Sequence, residues 1–151
     1  MTAVATMIAE AIGVSELREI AAKLAEMIMF AGIWRHAING LEQSAYMTQG
    51  GLMSVGRGTG MNMFFAQFSA RMVELLRQIC GSGVVMQPSE KDLANSDLRP
   101  FLDKYMRGKD VTVEYKSRLY RLTHDLSASS FAMRQGIYEY WHDGDPNRNR
   151  R

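Results

Sequence analysis

A chain of 151 residues and 17.0 kDa is one domain's worth of polypeptide, long enough to bury roughly 70% of its unfolded surface. Its 46% hydrophobic and 23% charged residues are a globular composition, and Cys80 is the single cysteine. That excludes a disordered tail, a collagen-like repeat, a disulfide framework and a cysteine-built metal site. The net charge of +2 includes Arg148, Arg150 and Arg151 at the very end, so the body has no basic face for nucleic acid.

Met1 to Ile12 reads as a first helix, ended by Gly13. Leu17, Ile20, Leu24, Met27, Ala31, Trp34, Ile38 and Leu41 then recur at spacings of three and four, the apolar stripe of a second helix. Ser15 is its expected N-cap, with Glu16 and Glu19 in the first turn. The uncharged run from Met27 to Trp34 falls far short of the roughly 18 residues a membrane span requires. With no basic leader before Arg18 and one cysteine, the expected home is cytoplasmic.

The glycine-rich stretch from Gln49 to Gly60 is expected to be a connection. Within it, Gly56-Arg57-Gly58-Thr59-Gly60 looks like a phosphate loop but lacks the Gly-Lys-Ser/Thr ending and a preceding strand. A third helix carries Met61, Phe64, Phe65, Phe68, Met72, Leu75, Leu76 and Ile79, and stops at Gly81. Gly81 to Pro88 is the single segment with extended character, so no sheet is expected. A short helix, Asp97 to Met106, leads to a long last one from Val113 to Trp141, with Glu114/Arg118 and Arg121/Asp125 pairs on its outer side. The fold class that follows is all-α, a four-helix bundle over residues 1–142 with a polar tail at 143–151. The twelve methionines are read as core filler.

His36, His124 and His142 have no shared-face ligand spacing, so no metal site is assigned. His124 and Asp125 are adjacent and point about 100° apart on a helix, which favours a structural role. No catalytic residue is assigned. Gly81-Ser82-Gly83 leaves two readings open: a plain helix stop, or a backbone bare enough to approach something flat or phosphorylated.

At this segment a family resemblance emerges. Ile79-Cys80-Gly81-Ser82-Gly83-Val84-Val85-Met86-Gln87-Pro88-Ser89-Glu90-Lys91-Asp92-Leu93 resembles the GSG…P-S/T-x-x-D-L signature of the 4-hydroxyphenylacetate 3-hydroxylase family, oxygenase components of two-component, reduced-flavin-dependent aromatic monooxygenases. Phe101 to Gly108 resembles that family's YLxKYxRG, Arg121 to Leu126 its KLxWDL, and Ser130 to Glu139 its SxFGxRxELYE. Gly144-Asp145-Pro146-Asn147-Arg148 resembles its GDPxR. Ala132, Gly136 and His124 depart from the glycine, glutamate and tryptophan of those patterns.

The resemblance implies an acyl-CoA-dehydrogenase-like C-terminal bundle, with the family's N-terminal helical and middle β-barrel domains missing from this chain. It implies FAD as cofactor, reached by the loop Gly81, Ser82 and Gly83, a separate flavin reductase component, and a homo-oligomer, dimer or tetramer. A side chain added at Gly83 is then expected to obstruct the cofactor more than the fold. The alternatives are a piece similar to 4-hydroxybutyryl-CoA dehydratase, whose iron–sulfur ligands would come mostly from elsewhere, and a non-catalytic helical assembly module.

Overall fold

The computed structural model describes residues 1–55, 59–142 and 144–145. The phosphate-loop-like Gly56-Arg57-Gly58 and the arginines of the tail lie outside them. Among the described residues the helices are α1 (Thr2–Ala11), α2 (Arg18–Gln43), α3 (Thr59–Cys80), α4 (Glu90–Ala94), α5 (Arg99–Tyr105), α6 (Val113–Ser127) and α7 (Ser130–Trp141). The all-α bundle expected from periodicity is what forms, and none of these helices is long and apolar enough to cross a membrane.

The core is built around the shortest of its main helices. Ala5, Ile8, Ala9 and Ala11 of α1 are fully or almost fully buried, because small side chains let neighbouring helices close on every side. Against it pack Leu24, Met27 and Phe30 from α2, Leu75, Leu76 and Ile79 from α3, and Leu119 and Tyr120 from α6. α7 lies outside this set, against α3 and α6. At about 1.5 Å per residue, α2 is about 39 Å long, yet none of its residues beyond Phe30 is buried. The distal half of α2 runs past the core as an arm beside α3.

Several expectations need correcting. α2 begins at Arg18 rather than after Ser15, because the Leu17 N–H donates to Val14 O at 3.0 Å in a preceding turn. A two-stranded antiparallel hairpin, β1 (Tyr46–Met47) and β2 (Met53–Ser54), stands where only a connection was expected. Thr48 closes it: its Oγ1 donates to Leu52 O at 2.9 Å and its N–H to the same carbonyl at 2.8 Å.

The long last helix is two helices. The amides of Ala128 and Ser129 both turn back to His124 O, and the Ser129 hydroxyl accepts from the Ala132 amide at 3.1 Å as the N-cap of α7. The Ser127 carbonyl left at the break takes the Arg77 guanidinium, with Nε at 2.7 Å. The expected pairs along the last helix are also exchanged for longer-range ones. Glu114 meets Arg99 of α5 at 2.5 Å and Arg121 meets Glu90 of α4 at 3.1 Å. Phe64, Phe65 and Phe68 form a half-buried aromatic cluster with Phe30 and Trp34.

Candidate functional site

α3 ends with Ile79 and Cys80 inside the core, and the chain then reverses at Gly81, whose φ of +57° is a left-handed value that side chains disfavour. Gly81–Val84 forms one 3-10 turn. The Val85 amide donates to Ser82 O at 3.1 Å and the Met86 amide to Gly83 O at 3.4 Å. The turn does not supply the extended segment expected here.

The three residues singled out from the sequence are brought together but not used alike. Nothing lies within 4 Å of where a Cβ on Gly81 would sit, and Ser82 is exposed. Gly83 instead faces inward. A Cβ there would meet Cε1 of the Tyr120 ring at 2.6 Å and Cζ at 2.7 Å, and Tyr120 is itself 4% exposed. The bareness of Gly83 therefore seats an internal aromatic ring, and a side chain added there strikes the fold directly, contrary to expectation.

Behind the turn, one face of α6 presents Ser117, Tyr120, Arg121 and His124 at helical spacing. The Gln87 side-chain amide donates to Gly83 O at 2.8 Å, and its oxygen accepts from the Ser117 hydroxyl at 3.2 Å. The Tyr120 hydroxyl donates to Cys80 O at 3.4 Å. Arg121 Nη2 donates to Pro88 O at 2.9 Å while Nη1 reaches Glu90. Ser89 and Asp92 then form a reciprocal capping box at the start of α4, and hydrogen bonding from the Ser89 hydroxyl and from its backbone amide holds the Asp92 carboxyl below its ordinary range. The Pro-Ser-x-x-Asp portion of the glycine motif is thus a helix start, built for structure.

A surface groove of about 340 Å³ opens beside the turn, lined by Val84, Val85, Gln87, Arg121, His124 and Asp125. His124 Nδ1 and Asp125 Oδ1 are 3.7 Å apart, beyond hydrogen-bond distance. Burial pushes the Cys80 thiol up to about 11, against a smaller opposing hydrogen bond from Thr123, so it is no nucleophile at neutral pH. Among the described residues no three His, Cys, Asp or Glu side chains gather to hold a metal ion. What the arrangement offers is recognition: a bare backbone corner at Gly81, a free-standing hydroxyl at Ser82, and mixed polar walls on one side. Sequence reading found the corner and missed Gln87, Ser117, Tyr120 and Arg121 behind it. Only the i, i+3, i+4 spacing of the last three hinted that they share a face.

Comparison with known proteins supplies the family. The family described as HpaB, 4-hydroxyphenylacetate 3-hydroxylase C terminal, matches residues 1–151. The 4-hydroxyphenylacetate 3-monooxygenase oxygenase component of Thermus thermophilus is 34% identical over 149 residues, covering 95% of this chain and 30% of that protein. The crystal structure of an HpaB oxygenase component complexed with FAD superposes with a TM-score of 0.92 at 33% identity, over 98% of this chain and 31% of that one. An archaeal 4-hydroxybutyryl-CoA dehydratase from N. maritimus superposes with a TM-score of 0.86 at 25% identity, over 99% of this chain and 30% of that one. The chain spans less than a third of the length of these relatives. With the whole of its sequence matched and its bundle superposed, the chain belongs to the 4-hydroxyphenylacetate 3-hydroxylase C-terminal family.

Proposed function

We propose that this chain serves as the C-terminal helical domain of a reduced-flavin-dependent aromatic monooxygenase. The observation that carries the reading is the match of the entire chain to that domain of enzymes solved with FAD. FAD would supply the oxygen-activating chemistry, with reducing equivalents from a separate reductase component. The residues present fit a flat, anionic group on the outer side of the turn. Gly81 leaves its Cα face open and Ser82 offers a hydroxyl donor, so backbone and hydroxyl can approach closely. Gly83 supports the turn from within rather than touching the cofactor. This domain's own work is to bind, to orient and to exclude water, and the catalytic groups for the phenol would come from the portions that relatives carry beyond it.

The same reading gives the exposed apolar side of α7 a second copy to cover it, in a homo-oligomer. The dehydratase-like alternative shares the fold, while the T. thermophilus relative matches at higher identity than the archaeal dehydratase.

Two measurements test this. The purified chain, supplied with a flavin reductase and FAD, is expected to leave 4-hydroxyphenylacetate unchanged, and turnover by the chain alone would overturn the domain reading. In the assembly that contains this chain, Ser82→Trp is expected to weaken FAD binding at least tenfold, about 1.4 kcal/mol, with thermal stability unchanged because the position is exposed. An unaltered FAD affinity would remove the turn from the cofactor site.

A further inference from the structure

We infer that Gln87 is a positioning residue: its side-chain amide, oriented by Ser117, fixes the shape of the Gly81–Val84 turn for the cofactor, an inference that rests on the flavin reading above. The turn is short, and the backbone bonds at its exit run from Val85 to Ser82 at 3.1 Å and from Met86 to Gly83 at 3.4 Å, the second a weak one. A single 3-10 turn with such bonds is not rigid by itself. The Gln87 Nε2 bond to Gly83 O, at 2.8 Å, is shorter than either and ends on the same carbonyl that the Met86 amide uses.

An unrestrained glutamine loses side-chain entropy when it makes such a bond. Here the Ser117 hydroxyl, on a buried residue of α6, donates to Gln87 Oε1 at 3.2 Å and so specifies which end of the amide faces Gly83. The chain from α6 through Ser117 and Gln87 to the Gly83 carbonyl ties the turn to the rigid bundle. On the other side of Gly83, the Tyr120 ring stops the backbone from moving inward. The turn is thus held from two sides by one helix face, which presents Gly81 and Ser82 in a fixed orientation. Preorganisation of this kind lowers the ordering cost of binding without contact to the ligand.

The test uses Gln87→Met, which keeps most of the volume and removes both hydrogen bonds, with Ser117→Ala as a milder second variant. Hydrogen exchange on the purified chain is expected to speed up at least tenfold at the Val85 and Met86 amides in Gln87→Met, while amides of α1 and α3 keep their protection. In the assembled enzyme the same variant is expected to weaken FAD binding about tenfold.

Gln87→Glu adds a signature that a merely structural role would not give. As a carboxylate it cannot donate to Gly83 O. Once protonated, below about pH 4, it donates again and turn protection should return. Because Arg121, His124 and Asp125 line the same groove, each value is read against the unmodified chain at the same pH.

Unchanged exchange at Val85 and Met86 in Gln87→Met overturns the inference. So does faster exchange with unaltered FAD affinity when Ser82→Trp does weaken FAD, since the turn's shape would then not matter. If neither variant alters FAD affinity, the flavin reading fails and this inference falls with it.

Discussion

At the scale of single residues, Gly83 shows what a glycine motif can conceal. The sequence offered two readings, a helix stop or a bare approach for a ligand, and the structure gives a third use, a seat for the Tyr120 ring. Gly83→Ala is therefore expected to destabilise the chain by about 1–3 kcal/mol through overpacking, lowering the thermal midpoint by roughly 5 °C. A midpoint unchanged in a thermal scan would mean that the ring moves aside freely. This partner was not legible beforehand, because Tyr120 lies 37 positions away in sequence and nothing local ties the two.

The same buried corner predicts an alkaline weakness. Burial pushes the Cys80 thiol from its ordinary 9.0 up to about 11 and the Tyr120 hydroxyl from 10.0 up to about 12. Folded-state values raised above unfolded ones mean that the native chain keeps protons the unfolded chain gives up. The stabilisation is whole below pH 9 and declines as pH rises through 11 and 12, at up to about 1.4 kcal/mol per pH unit for each group. Thermal midpoints measured from pH 8 to pH 11 are expected to fall, and Cys80→Ala should flatten the early part of that fall. A curve as steep in Cys80→Ala as in the unmodified chain would take the effect away from the thiol.

At the scale of elements, periodicity carried the reading where an apolar stripe packs against neighbouring helices. α3 is the clearest case: its stripe, its end at Gly81 and its packing against the core all follow from the sequence. Periodicity failed where a boundary depends on a capping contact. The register of apolar residues runs through Ser127-Ala128-Ser129 without interruption, so one helix was expected from Val113 to Trp141. The run of small polar residues was the available signal, and the Ser129 cap and the Arg77 contact decide the break. Likewise Ser15 is a good N-cap by type, but the Leu17 amide is already committed to Val14 O, which delays α2 to Arg18. The hairpin is short enough that no alternating pattern precedes it, and its closure rests on Thr48. Pairing by proximity on a helix misled as well, since Glu114 and Arg121 reach other helices instead of their i+4 neighbours. Those cross-helix pairs fasten α4 and α5 to α6, and with them the segment that follows the glycine turn.

At the scale of the molecule, the most telling feature is the apolar surface left uncovered on one side. Phe131, Met133, Ile137, Tyr138 and Trp141 of α7 are all more than half exposed, and a groove of about 480 Å³ with largely apolar walls runs between α3 and α7. Single exposed apolar residues are ordinary, but five on one helix beside an apolar groove mark an interaction surface. The hairpin at the end of the α2 arm is a second candidate, with Met47, Leu52 and Met53 at 60% exposure or more. The aromatic cluster of α3 is half-buried within the chain and is the weaker candidate. The purified chain is therefore expected to sediment above 17.0 kDa at micromolar concentration. Ile137→Glu should return it to monomer mass with little loss of thermal stability, because the side chain is 57% exposed and contributes little to the core. A mass that stays high in Ile137→Glu and falls in Met53→Lys moves the self-association surface to the hairpin. A stable 17.0 kDa species of the unmodified chain would instead leave α7 for the portions that its longer relatives carry.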